Sequence, residues 1–263
     1  MAIKTFFRVW TILAKNNLQN QLLSPSASLL FVVGKIFNFI FAIITIYAIF
    51  NQTSSIRGYD LPQAVIVVLV FSFMDTLTQF LFRSLYTFRP ALIKGDFDMD
   101  LLKPLPSFFR PIFSGPDFLD VPMIIIQLFS IFYFIAHFSI TITLPNLLVF
   151  SLVFVNGVVI AFSVHLIIAA FAVMTSEIEN LVMIYRALGR AAIVPTDIYG
   201  ATFRFILSYV VPITVIMTIP AKALLGILSI ERIIYSTILT LVFLIFSLNF
   251  WSFSLRRYTS ASS

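Results

Sequence analysis

The chain has 263 residues, of which 60% are hydrophobic and 11% charged, with a net charge of +6 and a mean hydropathy of +1.04. Soluble domains carry nearer a quarter charged residues, so the composition argues against a water-soluble globule. There is no cysteine, which excludes disulfides and thiolate metal sites. The 31 phenylalanines suit a lipid-facing surface.

Residues 1–28 mix Phe6, Phe7, Val9, Trp10, Ile12 and Leu13 with Lys4, Arg8, Lys15 and Asn16. That mixture predicts an amphipathic helix lying on the inner membrane surface; the alternative is a merely basic leader. No short apolar stretch followed by a small-residue cleavage site occurs there, so a removed signal peptide is not expected. Ser24-Pro25-Ser26 reads as a helix start, because proline is tolerated in the first turn.

Six apolar runs follow, at 29–50, 61–82, 121–144, 147–174, 203–225 and 233–253. Each matches the roughly 20 residues a helix needs to cross hydrocarbon. The fourth run approaches 30 residues, so it must tilt or project beyond the bilayer. The spacers at 51–60, 141–146 and 226–232 are too short for a folded ectodomain.

Positive charge collects on one side of these runs. Lys4, Arg8 and Lys15 precede the first; Arg83, Arg89, Lys94, Lys103 and Arg110 follow the second. Arg186, Arg190 and Arg204 lie between the fourth and fifth, and Arg256 and Arg257 follow the sixth. Only Arg57, Lys222 and Arg232 fall opposite. Lysine and arginine stay cytoplasmic, which places both termini inside. The basic balance is a topology signal, not a nucleic-acid footprint, since no soluble domain gathers it on one face.

Residues 83–120 form the longest polar stretch. Prolines at 90, 104, 106, 111 and 116 cut it into short pieces. Asp96, Asp98 and Asp100 precede Leu101 and Leu102, as acidic residues do at a helix start. The exposed apolar groups of this charged segment predict docking to a protein or to the lipid surface. A calcium loop of EF-hand type is not supported, because Leu101 and Ser107 stand where Gly and Glu are required. In 175–202, Glu177, Glu179, Arg186, Arg190 and Asp197 alternate with Leu181, Met183, Ile184, Tyr185 and Leu188 before Pro195 and Gly200. That stretch is expected to lie along the inner surface or bend into the membrane.

No two of the eight glycines are spaced for a dinucleotide fingerprint or a P-loop. His137 and His165 have no partner at metal-ligand spacing. Ionisable groups inside the bilayer are costly and mark function or pairing. Lys35 lies six residues into the first run and Asp75 seven residues before the end of the second, both roughly 10 Å deep at the helical rise. The matched depth predicts a Lys35–Asp75 pair. The alternatives are Lys35 snorkelling to the interface with Asp75 bonded to a helix end or water, and a place for both on a substrate path. Asn38, Asn156 and His165 suit helix–helix hydrogen bonds. Pro212 and Pro220 need neighbours for the carbonyls they free, and a break near Pro220 would turn 221–226 back at the outer face.

Three stretches carry a family resemblance. Residues 93–104 (IKGDFDMDLLKP), 209–226 (YVVPITVIMTIPAKALLG) and 255–262 (LRRYTSAS) are similar, in order, to the G-x-L-D-x-x-L-L-K-P, F-V-I-P…P-A-x-x-L-L-G and R-Y-x-S-A-G segments of type-2 ATP-binding-cassette (ABC) exporter permeases. The chain resembles the bacterial branch of small six-helix permeases over its full length, departing at Ser262, where glycine is usual. The resemblance implies an all-α polytopic fold with six transmembrane helices, both termini inside, and one permease domain over 1–263. It implies a multi-pass protein of the bacterial inner membrane, with a coupling helix in the 83–120 region. Lys94, Gly95, Asp96, Phe97, Asp98, Leu101, Leu102, Lys103 and Pro104 would meet a separate ATPase subunit, with Phe97, Leu101 and Leu102 exposed. This chain would bind no cofactor and catalyse nothing; ATP and magnesium would sit on the ATPase. A second permease, identical or homologous, would complete an export path surrounded by membrane lipid. The competing readings are a stand-alone ion-coupled transporter, which would want more buried carboxylates and an internal repeat, and a membrane-embedded enzyme, which would need clustered acid, base or metal groups.

Overall fold

The computed structural model describes residues 3–56, 58–175, 178–191 and 196–259. Arg57, Glu177, Pro195, the side chain of Asp197 and residues 260–262 of the closing motif lie outside them. Helix α1 (Ile3–Leu22) precedes α2 (Pro25–Phe50), which starts at Pro25 with Ser24 before it. Helix α3 (Leu61–Phe82) opens on a capping box: Asp60 accepts from the Gln63 amide nitrogen at 2.9 Å, and the Gln63 side chain accepts from the Asp60 amide at 3.3 Å. This pairing satisfies two helix-end donors reciprocally.

The polar stretch after α3 breaks into short helices. A 3₁₀ turn (Arg83–Thr87) leads to α4 (Phe88–Lys94), α5 (Asp96–Leu101), α6 (Phe109–Phe113) and a second 3₁₀ turn (Phe118–Asp120). Pro104, Pro106 and Pro116 fall in the breaks, Pro90 and Pro111 lie within α4 and α6, and Gly95 separates α4 from α5. Then come α7 (Val121–His137), α8 (Leu144–Thr175) and α9 (Glu179–Ala191). Helix α10 (Ala201–Phe205) passes through a π turn (Ile206–Val210) to α11 (Ile213–Ile216) and α12 (Thr218–Leu224); α13 (Ile230–Leu255) closes the fold. Five stretches are long and apolar enough to span a membrane, and the bent pair Ala201–Val210 and Ile213–Leu224 makes a sixth if counted as one span.

Helix α3 is the centre of the bundle. Its residues Val65 to Val70 are nearly all inaccessible, whereas α2, α7 and α13 keep wide apolar faces outward. Helix α8 packs along α13 and also carries α11 and α12. Gly157 permits that approach: a Cβ there would meet Val215 O at 3.2 Å and Ile216 Cα at 3.3 Å. Across the α8–α13 contact, Asn156 Nδ2 donates to Thr237 Oγ1 at 3.1 Å and Ser236 Oγ at 3.4 Å.

Two spans differ from the sequence reading. The third run was expected to reach 144, but α7 ends at His137 and the chain turns through Ser139 at φ 52°. The fifth breaks at Pro212, not Pro220, with a 72° bend. Pro212 interrupts the helical ladder, and the freed carbonyls find hydroxyls: Thr214 Oγ1 donates to Leu207 O at 3.1 Å and Tyr235 donates to Ser208 O. Pro220 instead occupies the first turn of α12, where its missing N–H is one that a helix leaves unpaired anyway.

Candidate functional site

Two features stand out at the end of the bundle that carries α4–α6. The first is the segment from Lys94 to Pro104. Gly95, at φ 77°, makes the left-handed corner between α4 and α5, a conformation glycine adopts without a Cβ penalty. Phe97 then turns inward and is fully buried, with ring centres 5.1 Å from Phe88, 5.3 Å from Tyr258 and 6.2 Å from Trp251. Burial, with Asp98 beside it, pushes the Tyr258 phenol up to about 12. The expectation that Phe97 is exposed is therefore corrected; it anchors the segment.

Asp100 fastens the following loop. It accepts from Lys103 Nζ at 2.7 Å and pairs with Arg110 Nε at 3.1 Å. Trp251 Nε1 donates to Ser107 Oγ at 2.8 Å, pinning the loop to α13. Outside this frame stand Met99 at 64% and Leu102 at 80% exposure, with Leu101 and Ile93 also exposed. Lys94, Asp96, Lys103 and Pro104 are exposed around them, and Asp98 is half-buried. The result is an apolar knuckle with a charged border on a fixed support. Among the described residues no three acidic or histidine side chains gather as a metal site, so Asp96, Asp98 and Asp100 do not converge.

The second feature is a cavity of about 560 Å³ bounded by α2, α3, α7, α8 and α9. Lys35 and Asp75 both line it, but they are not an ion pair. Lys35 Nζ bonds to Asp120 Oδ1, at the head of α7, and Asp120 is fully buried. Asp75 Oδ2 accepts from Gln79 Nε2 at 2.7 Å, one turn along its own helix. His165 also lines the cavity, with Nδ1 2.7 Å from Ala161 O in its own helix instead of bonding a neighbour. Asn38 is exposed at the cavity wall, and Gln127, donating to Thr76 at 3.0 Å, is buried there.

The shift of partner has a physical cause. Lys35 sits toward the Arg83 end of α3 and not level with Asp75: its Nζ is 4.8 Å from the centre of the Phe31 ring, which Arg83 also approaches at 5.3 Å. Its long stem reaches back toward the helix start, and the carboxylate waiting there is Asp120. Around it, Gln21 of α1 donates to Asp117 at 3.1 Å and accepts from the Phe118 amide at 3.1 Å, while Arg83 Nε lies 3.4 Å from Asp117. Asp117, Asp120, Tyr86 and Gln127 were not singled out by the sequence reading. The one available signal was an acidic pair directly before an apolar run on the side where lysine and arginine accumulate. Helix α9 closes the cavity, tied across by Arg89 NH1 to Glu179 Oε1 at 3.0 Å and Arg186 Nε to the Tyr86 hydroxyl at 3.0 Å.

The sequence model of a family described as "ABC-2 family transporter protein" matches residues 36–262. No curated protein matches the chain, and no solved structure does. With an all-helical bundle of five to six spans and a family match over most of its length, the chain belongs to the ABC-2 transporter family and is a membrane permease domain of an ABC transporter.

Proposed function

We propose that this chain is the membrane-spanning half of an exporter driven by a separate ATPase subunit, and that α5 with the loop after it seats on that subunit. The observation that carries the reading is the knuckle: Met99, Leu101 and Leu102 are held out in water by a buried Phe97 and a doubly bonded Asp100. Exposed apolar groups on a rigid base suit the centre of an interface, where packing against a partner supplies most of the binding energy. The charged border fits the polar rim of such a contact. In this reading both termini and α4–α6 face the cytoplasm, ATP and magnesium are held by the partner, and a second permease, identical or homologous, completes the path in a bacterial inner membrane. ATP-driven closure of the two ATPases would rock the permease halves through α5.

The test is mild-detergent affinity purification of the tagged chain from its native membrane, followed by mass spectrometry. A stoichiometric P-loop ATPase is expected with the wild-type chain and not with Leu101→Glu/Leu102→Glu, which leaves Phe97 and Asp100 intact. A wild-type chain that purifies without an ATPase across several detergents overturns the reading and favours an ion-coupled carrier acting alone through Lys35 and Asp75.

A further inference from the structure

Cationic groups crowd one end of the cavity. Arg83, from the turn after α3, and Arg186 and Arg190, one helical turn apart on α9, all line it. Tyr86 organises two of them: the Arg186 and Arg83 guanidinium carbons lie 4.3 and 5.5 Å from its ring centre. Arg83 also lies 5.3 Å from the centre of Phe31. Lys35 and Arg83 have carboxylate partners, Asp120 and Asp117. Among the described residues Arg186 and Arg190 are in no ion pair.

Away from the arginines the lining carries no cation and gains apolar groups among the neutral polar Asn38, Ser72, Thr76 and Gln127. Phe71, Asp75, Gln79 and Arg83 recur every four residues along α3 and all line the cavity, so they share one face. That face runs from a phenyl ring to a guanidinium over about 18 Å. The antiparallel α2 repeats the order, with Phe31 and Lys35 at the basic end and Phe39 and Ala42 at the other. Met123 and Met217 add apolar surface to the lining. The volume lies within the range of about 300–1,000 Å³ usual for ligand sites.

We propose that this cavity binds an amphiphile with a phosphate-type anionic head group. The head sits between Arg186, Arg190 and Arg83, and the hydrocarbon chain lies toward Phe39 and Phe71. Guanidinium forks match phosphate oxygens and bond them two at a time. Basic pockets between spanning helices near a membrane face suit anionic lipid heads. A cationic ligand is disfavoured, because two guanidiniums that form no ion pair among the described residues line the cavity. Asp75, about 12 Å further along α3 than Arg83, repels an anion and sets how far the head can enter. The site needs only this chain, so its test is independent of whether an ATPase seats on α5.

The experiment is native mass spectrometry of the purified chain in detergent micelles, offered equal amounts of phosphatidylglycerol and phosphatidylcholine with the same acyl chains. Wild type is expected to retain phosphatidylglycerol in preference. Arg186→Gln/Arg190→Gln should retain it about a hundredfold less, about tenfold for each of two lost charge-assisted bonds. Arg256→Gln/Arg257→Gln, on exposed cations beyond α13, should retain it as wild type does. Excess inorganic phosphate should leave the lipid bound. Equal retention in Arg186→Gln/Arg190→Gln and wild type, or an equal loss in the Arg256→Gln/Arg257→Gln control, overturns the proposal. Displacement by inorganic phosphate overturns it too, making the site one for the free anion. If the Arg186→Gln/Arg190→Gln protein does not fold, Arg190→Gln alone, at an exposed position, serves the same comparison.

Discussion

Lys35 illustrates how a single charge is settled inside an apolar bundle. Its ammonium bonds a carboxylate that is fully buried, while its own side chain keeps one-fifth of its surface accessible. Removing one member of such a pair strands the other. Asp120→Asn is expected to cost about 3 kcal/mol, the low end for a buried pair because Lys35 is not wholly enclosed. Lys35→Met/Asp120→Asn should recover most of that loss. Asp75→Asn keeps an oxygen for the Gln79 amide and should cost within about 1 kcal/mol. Unfolding in detergent, followed by heat or denaturant, ranks the three; an Asp75→Asn protein as damaged as Asp120→Asn would restore the Lys35–Asp75 pair. The need for a buried partner was legible in the sequence, because a lysine within an apolar run demands an acceptor. Which acceptor was not. Asp120 reads as an ordinary polar residue before a helix, and its burial arises only when α1 and α2 fold against the 3₁₀ turn before α7.

At the level of elements, hydropathy located all six apolar runs but not their interruptions. The third and fourth runs are separated by few polar residues, so composition carries the third through Phe138 to Leu144, where the backbone already turns. In the fifth, Pro212 and Pro220 look alike in sequence. Their effects differ because one falls in a ladder and the other in a first turn. The compact 72° bend depends on a partner surface as well as on proline. Helices α11 and α12 are almost wholly buried, and Gly157 on α8 lets their backbone approach. Gly157→Val should overpack this contact and cost about 1–3 kcal/mol, read as a lower melting temperature. Met74→Ala added to Gly157→Val should recover only part of it. The Met74 methyl, 2.9 Å from the new Cβ, would be gone, but the α11 backbone at 3.2 Å would remain. Full recovery would show that α11 is free to move.

Across the whole molecule, the α4–α6 end is joined to the rest of the bundle at several places, among them the stacking of Phe113 on Phe162 of α8. Phe97 and Ser107 meet Trp251 near the end of α13, and Arg89 meets Glu179 at the start of α9. The sequence reading offered 93–104 as a candidate docking segment and counted Phe97 among its exposed groups, since a phenylalanine among aspartates carries no mark of which way it turns; Phe97 is buried. The joint at Trp251 also makes the protein its own optical gauge. The chain has two tryptophans, Trp10 and Trp251, so Trp10→Phe leaves one indole as the source of the near-ultraviolet emission. That indole is almost free of water and hydrogen-bonded to the loop that carries the knuckle. Adding Phe97→Ala should admit water and shift its emission to longer wavelength; an unchanged spectrum would mean that α5 and α13 do not pack as described. Any molecule that seats on Leu102 and disturbs the Trp251–Ser107 bond would then announce itself as a change in brightness, without a label.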